Sequence, residues 1–142
     1  MQSEFSRWTR DVQAEVLPYC AAQGVGLPPY SPLGRGFLLG RFSSSDELPE
    51  NDQRRRLPRF RQDNLRANPA VAAEVRAVAD RVGSTPAQIA WPGSSPGEHV
   101  VPIPDTKTPT YPAEHAGGAD VRLSAADLAD LDAIPAPVGA RY

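Results

Sequence analysis

Tyr30-Ser31-Pro32-Leu33-Gly34-Arg35-Gly36-Phe37-Leu38 runs from a short apolar segment into a turn rich in glycine, serine and proline, with one arginine at its centre. Glycines remove side-chain bulk and permit left-handed backbone angles, so such a turn can bring N–H groups up to an anion. By itself the signal is weak, because tight turns without a ligand are commoner. The flanking segments give it a place in a fold. Val25 to Ser31 reads as a short buried strand, although Pro28-Pro29 is hostile to a central strand because neither can donate to a ladder. Upstream, Asp11 can cap a helix over about residues 12–23, where Val12, Val16, Leu17 and Cys20 recur at helical spacing and Gly24 is a natural stop. Gln2 to Trp8 reads as the tail of another strand.

Downstream, residues 39–66 form a long charged loop with Ser43-Ser44-Ser45, the acidic run Asp46 to Glu50, and Arg54-Arg55-Arg56. A loop this long is usually functional or disordered. The arginine run reads as a solvated face, and without aromatic partners it gives no nucleic-acid signal. Asn68-Pro69 opens a helix to about Val82, with Val71, Val75, Val78, Ala79 and Val82 on one face and Gly83 closing it. Ser84 or Thr85 with Pro86 starts another helix through Gln88 and Ala90. Val100 to Ile103 is a further short strand. A last helix follows Ser124, where Asp127 completes a Ser-x-x-Asp cap. The order strand, helix, strand, helices, strand, helix is an α/β pattern without internal repeat.

Composition bounds the rest. A chain of 142 residues can bury one core, but 16 prolines and 11 glycines point to many turns. A net charge of −2 gives no reason to expect nucleic acid or an acidic membrane surface. No stretch approaches the roughly 18 apolar residues of a membrane span, and the N-terminus is polar rather than a signal peptide. Cys20 is single, and His99 and His115 are too few and too badly placed for a metal site. The expectation is a soluble, cytoplasmic, metal-free protein.

Further motifs make the turn specific: Gln2-Ser3-Glu4-Phe5-Ser6, Pro58-Arg59-Phe60, Asn64, Thr85-Pro86-Ala87-Gln88, Val101-Pro102-Ile103-Pro104 and Gly139-Ala140-Arg141-Tyr142. In this order and spacing the set resembles the C-terminal portion of an NADP(H)-dependent aldo/keto reductase, of the bacterial type ending in Gly-x-Arg-Tyr. The resemblance covers nearly all of the chain but less than half of the family's domain. It implies a partial (β/α)8 (TIM) barrel over residues 1–142, about strands six to eight with their helices, not expected to close alone, since a full barrel needs about 250 residues. It also implies a nicotinamide cofactor, NADP(H), as ligand. Gln2 matches the glutamine that bonds the nicotinamide carboxamide, and Tyr30 the aromatic that stacks on the ring. Ser31, Leu33, Gly34 and Arg35 match the loop around the pyrophosphate. Thr106, Lys107 and Glu114 match the adenine end. Each has a plain alternative: Tyr30 as core aromatic, Arg35 as a solvated charge, Gln2 as a polar chain end.

Other residues depart from the family. Its proton-donating tyrosine, with the lysine, aspartate and histidine around it, belongs to the first strands, so this chain holds no catalytic residue, and none of its tyrosines matches the donor's motif. Asp105 stands where relatives carry glycine and Thr108 where they carry the arginine that holds the 2′-phosphate, while His115 replaces an adenine-contacting asparagine. An added negative charge and a lost positive one imply weak NADPH binding and a blurred preference over NADH. Pro109 and Pro112 are expected to break the start of the helix carrying Glu114. The function implied is that of a C-terminal portion of a carbonyl reductase, inactive alone. The alternatives are a subunit completed by a separate N-terminal half-barrel, or a non-catalytic nucleotide-binding module. Exposed sheet edges also invite self-association.

Trp91-Pro92-Gly93-Ser94-Ser95-Pro96 replaces what in relatives is a continuing helix, close to Leu-Ala-Trp-Leu-Leu-Ala. Writing the usual residues in GC-rich codons and dropping the first base yields these six residues in order, which points to a local frameshift; an ordinary loop insertion is the alternative. Sequencing the coding DNA for residues 88–98 is expected to show those codons one base out of frame, and unrelated codons would overturn the reading.

Overall fold

Residues 2–5, 25–30 and 99–103 lie side by side and parallel, with 25–30 in the middle; single bridges join Glu4 to Tyr30 and Leu27 to Val100. The structure is a computed structural model that describes residues 1–90 and 99–142; the Trp91–Gly97 replacement lies outside the described residues. Tyr30 N–H donates to Ser3 (3.1 Å), Leu27 N–H to His99 (2.6 Å), Val101 N–H to Leu27 (3.0 Å) and Ile103 N–H to Pro29 (3.0 Å). Successive donors of a strand between two neighbours point alternately to either side. Leu27 donates to one neighbour and Tyr30 to the other, so Pro28 and Pro29 delete one donor on each side. The expected strands are therefore extended segments joined at single points, and among the described residues no continuous strand forms.

Alternation also sorts the side chains. Leu27 and Val100 turn to one side and pack with Phe5, Val12 and Cys20, under Val16 and Leu17 of α1 (Val16–Gln23). Val101 and Ile103 fall on the other side, where they are 63% and 42% exposed. Among the described residues the second face is thus open along the last segment, at Val101 and Ile103.

Helix α1 starts four residues later than its apolar spacing suggests. Asp11 makes no side-chain cap, and residues 11–13 form a single 3-10 turn instead. The cause is Pro18. In a helix begun at Val12 it would remove an interior hydrogen bond, whereas in one begun at Val16 it falls in the first turn, whose N–H groups have no intrahelical partner. The later helices are α2 (Gln62–Ala67), α3 (Pro69–Val82), α4 (Pro86–Ile89), α5 (Tyr111–Ala116) and α6 (Ala125–Asp132). Pro69 opens α3 and Gly83 closes it, as expected. Reciprocal capping boxes start α4 (Thr85 with Gln88) and α6 (Ser124 with Asp127). Pro112 does not break α5, because it too sits in the first turn.

The larger core gathers Trp8, Phe37, Phe60, the Val71–Val75–Val78 face of α3, Ile89 and Leu131. Helix α6 packs on α3. Its C-terminal end is held by the first segment: Arg10 donates to the Leu131 and Asp132 carbonyls, and Arg7 pairs with the Asp132 carboxylate at 3.3 Å. The long loop is folded rather than loose. Arg54 chelates Asp52 (2.6 Å between Nη2 and Oδ2) and donates to the Arg35 carbonyl (2.9 Å), and Arg55 donates to the Ser45 and Leu48 carbonyls. Two of the three arginines expected on a solvated face therefore fasten this loop. Among the described residues no helix is long and apolar enough to cross a membrane.

Leu131 is fully buried between α6 and the larger core. Replacing it with alanine is expected to cost about 2–5 kcal/mol, read as a lower urea midpoint; a loss below about 1 kcal/mol would show that α6 is not cooperatively packed.

Candidate functional site

The turn after the middle segment is built from left-handed residues: φ is 51° at Ser31, 58° at Gly34, 57° at Arg35 and 93° at Gly36. A Cβ at Gly34 would stand 3.0 Å from the Trp8 ring and 3.1 Å from Leu38, so glycine there is required by packing as well as by φ. Ser31 and Arg35 adopt such angles at a cost of order 1–3 kcal/mol each. Their neighbours enforce it: Gly34 N–H donates to the Ser31 carbonyl and Gly36 N–H to the Leu33 carbonyl, both at 3.0 Å.

This turn forms one wall of an open cavity of about 680 Å³. Tyr30, Ser31, Leu33 and Arg35 line it from the turn, Thr106 and Lys107 from the end of the last extended segment. Six sequence-predicted residues thus come together. The other three stand apart from it. Gly34 is buried behind the turn. Glu114 lines a smaller adjoining cavity of about 240 Å³, shared with Arg41 and His115. Gln2 is exposed and does not line the cavity.

Arg41, Arg54 and Tyr111 also line the cavity and were not foreseen, and His115, expected in place of an adenine-contacting asparagine, lines it too. Arg41, six residues beyond Arg35 and just past Gly40, was legible as a second basic residue of the same turn. The others reach the cavity only through packing of the loop and α5. The Arg41 guanidinium lies 4.9 Å from the Tyr111 ring centroid, and Tyr111 stacks with His115 at 6.1 Å. His115 is 4% exposed. Burial lowers its pKa first, and the neighbouring Arg41 charge adds to the lowering against Glu114.

The cations are not equivalent. Arg54 is neutralised by Asp52, and Arg35 faces the buried Glu4 carboxylate at 3.8 Å. Among the described residues Arg41 and Lys107 enter no ion pair. Asp105 brings one carboxylate to the rim. Positive charge in surplus, a half-buried phenol ring and a glycine turn fit the phosphates and flat ring of a dinucleotide, the cofactor that the resemblance implies.

Residues 1–136 match the aldo/keto reductase family. The chain belongs to that family. Among curated relatives it is 38% identical to "Probable aldo-keto reductase 1" of Glycine max, over the whole of this chain but only 42% of that protein. Among solved structures it is similar to an aldo-keto reductase of Klebsiella pneumoniae in complex with NADPH, with a TM-score of 0.66, 24% identity, and coverage of 96% of this chain and 39% of that one. It is also similar to the thermostable aldo-keto reductase Tm1743 bound to epalrestat (TM-score 0.65, 21% identity, 94% and 39% covered). The chain thus shares its fold with about two fifths of these family members.

Since burial lowers the His115 pKa in the folded chain, unfolding takes up a proton between that lowered pKa and the free imidazole's value near 6.5. Its contribution to stability is present above that value and is lost as pH falls below it toward the folded-state pKa. Thermal melts between about pH 7.5 and 5.5, above the carboxylate range, are expected to show a falling Tm that His115→Gln flattens. An unchanged slope would mean that folding does not lower the His115 pKa.

Proposed function

We propose that this aldo/keto reductase chain is the C-terminal portion of an NADPH-dependent carbonyl reductase, a partial (β/α)8 barrel that supplies about strands six to eight and the cofactor half of the site. The observation that carries the reading is the convergence of two distant stretches, Tyr30–Arg35 and Thr106–Lys107, on one cavity with surplus positive charge. Tyr30 would stack on the nicotinamide and Gln2 would reach its carboxamide. Ser31, Leu33 and Arg35 would wrap the pyrophosphate on a turn that Gly34 shapes from behind. Thr106 and Lys107 would hold the adenosine phosphate, with Glu114 at the adenine. When bound, NADPH supplies the hydride that reduces a carbonyl; the proton must come from a donor outside this chain, which is inactive alone in this reading.

A second reading, a subunit completed by a separate N-terminal half-barrel, is favoured by the uncovered face with exposed Val101 and Ile103. A half-barrel that cannot close leaves apolar side chains of its inner layer in water. A non-catalytic nucleotide-binding module is the outcome if cofactor binds and no partner restores turnover.

Titrating NADPH into the purified chain, following cofactor fluorescence with NADH as comparator, tests the site. Saturable binding with a Kd on the order of 100 μM is expected, with little discrimination against NADH because Asp105 and Thr108 weaken the 2′-phosphate end. Arg35→Gln should weaken NADPH about tenfold, the loss of one charge-assisted contact. A compact chain that binds neither nucleotide would overturn the reading.

A further inference from the structure

Tyr142 stands 107 residues from Arg35 in sequence, yet its hydroxyl accepts a hydrogen bond from Arg35 Nη2 at 3.2 Å and shares another with the Tyr30 hydroxyl at 3.0 Å. The Arg35 guanidinium also lies 5.5 Å from the centre of the Tyr142 ring. Tyr30 and Arg35 are the two side chains at the turn end of the cavity that offer a flat ring and a positive charge. Nothing in their own backbone fixes the distance between ring and guanidinium, because both are long side chains on a strained turn. Tyr142 fixes it by touching both.

The tail reaches this position by its own anchors. Asn68, 2% exposed, brackets Val138, donating to its carbonyl (3.0 Å) and accepting from its N–H (2.8 Å). Arg59 donates to the Gly139 carbonyl (3.3 Å) and to the Thr9 hydroxyl (2.7 Å), and Thr9 donates to Glu4 (2.8 Å). Glu4 in turn faces Arg35 from the buried side at 3.8 Å. A closed circuit runs from the tail through Arg59, Thr9 and Glu4 to Arg35 and back to the tail at Tyr142. Glu4 draws the guanidinium from behind and Tyr142 holds it in front.

We infer that Tyr142 is a positioning residue of the anion pocket, setting Tyr30 and Arg35 in register for a ligand that carries a flat ring beside a pyrophosphate. The inference rests on the cofactor reading above and deepens it: a segment outside the glycine turn and the last extended segment sets binding strength. Pre-ordering one long charged side chain is worth about a three- to tenfold change in affinity.

The test compares the wild-type chain with Tyr142→Phe, which keeps the ring and removes both hydrogen bonds. Tyr142 is 62% exposed, so the variant should melt with the wild type. Two readouts are taken. The first is ¹⁵N relaxation of the Arg35 Nε–H, which needs no ligand; it should report an ordered side chain in the wild type and a mobile one in Tyr142→Phe. The second is calorimetric titration with inorganic pyrophosphate, whose Kd should rise about three- to tenfold, with no further rise when Tyr142→Phe is added to Arg35→Gln. Equal Arg35 mobility, or an unchanged pyrophosphate Kd, overturns the positioning role while leaving the pocket intact. A wild-type chain that binds no pyrophosphate overturns both the role and the cofactor reading on which it rests.

Discussion

Trp8 lies almost flat on Phe37, with ring centroids 4.1 Å apart, and the rest of the molecule is arranged around that contact. It presses the first extended segment against the glycine turn, and it leaves no room for a side chain at Gly34. Phe60 closes the cluster edge-on at 5.5 Å, bringing the end of the long loop to the same place. Arg59 covers the indole at 5.1 Å and donates to the Trp8 carbonyl at 3.2 Å. The same guanidinium reaches the tail. One aromatic stack thus sets the relative positions of the first segment, the turn, the loop and the tail, four pieces far apart in sequence that have almost no sheet ladder to hold them.

The weak ladder is compensated by ionic and polar contacts that a regular barrel strand would not need. Arg7 is buried, and burial lowers its pKa to about 10, opposed by the nearby Asp132 carboxylate. It stays charged at neutral pH, and with Arg10 it meets the carbonyl end of α6, where a helix carries partial negative charge. Glu4 is buried too, with one oxygen bonded to Thr9 and the other 3.8 Å from the Arg35 guanidinium. Breaking a buried pair costs more than making it gains, so such pairs specify an arrangement more than they stabilise it. The position of Arg35 is therefore tied to the first segment as well as to its own turn.

What the sequence made legible was what is local. Gly24 and Gly83 as stops, Pro69 as a start, and the Thr85 and Ser124 caps depend on side chains within a few residues of the backbone they serve, and all stand where their spacing put them. Pro28-Pro29 was legible as a breach in the strand, and each proline removes a donor toward a different neighbour. Two errors came from reading residues without their position in the turn: Pro112 is harmless in the first turn of α5, and Pro18 moves the start of α1. The remaining omissions are through-space. Nothing in Arg54-Arg55-Arg56 announces that Arg54 bonds the Arg35 carbonyl of the glycine turn and Arg55 two carbonyls of its own loop. Nothing near His115 announces that Arg41 arrives from the other wall. Of the candidate site, the glycine turn and Thr106-Lys107 were legible because the family resemblance lies in contiguous motifs; the exposure of Gln2 and the separate place of Glu114 were not.

The open side of the layer has a chemistry of its own. Val101 and Ile103 direct their N–H groups toward the middle segment, so the backbone of residues 100, 102 and 104 faces the outer edge. Two of those three are prolines, and the edge offers few donors on which another strand could build. The face beside it is different: Val101 and Ile103 present apolar side chains to solvent, Ile103 in the cavity that Tyr30 also lines. An edge poor in donors discourages indiscriminate pairing, while an apolar face gains from any surface that covers it. A layer of this kind is suited to being completed by packing on its face, with few backbone bonds at its rim. In a barrel that face is the interior, and Ile103 lines the same cavity as Tyr30, so part of this apolar surface borders the candidate site.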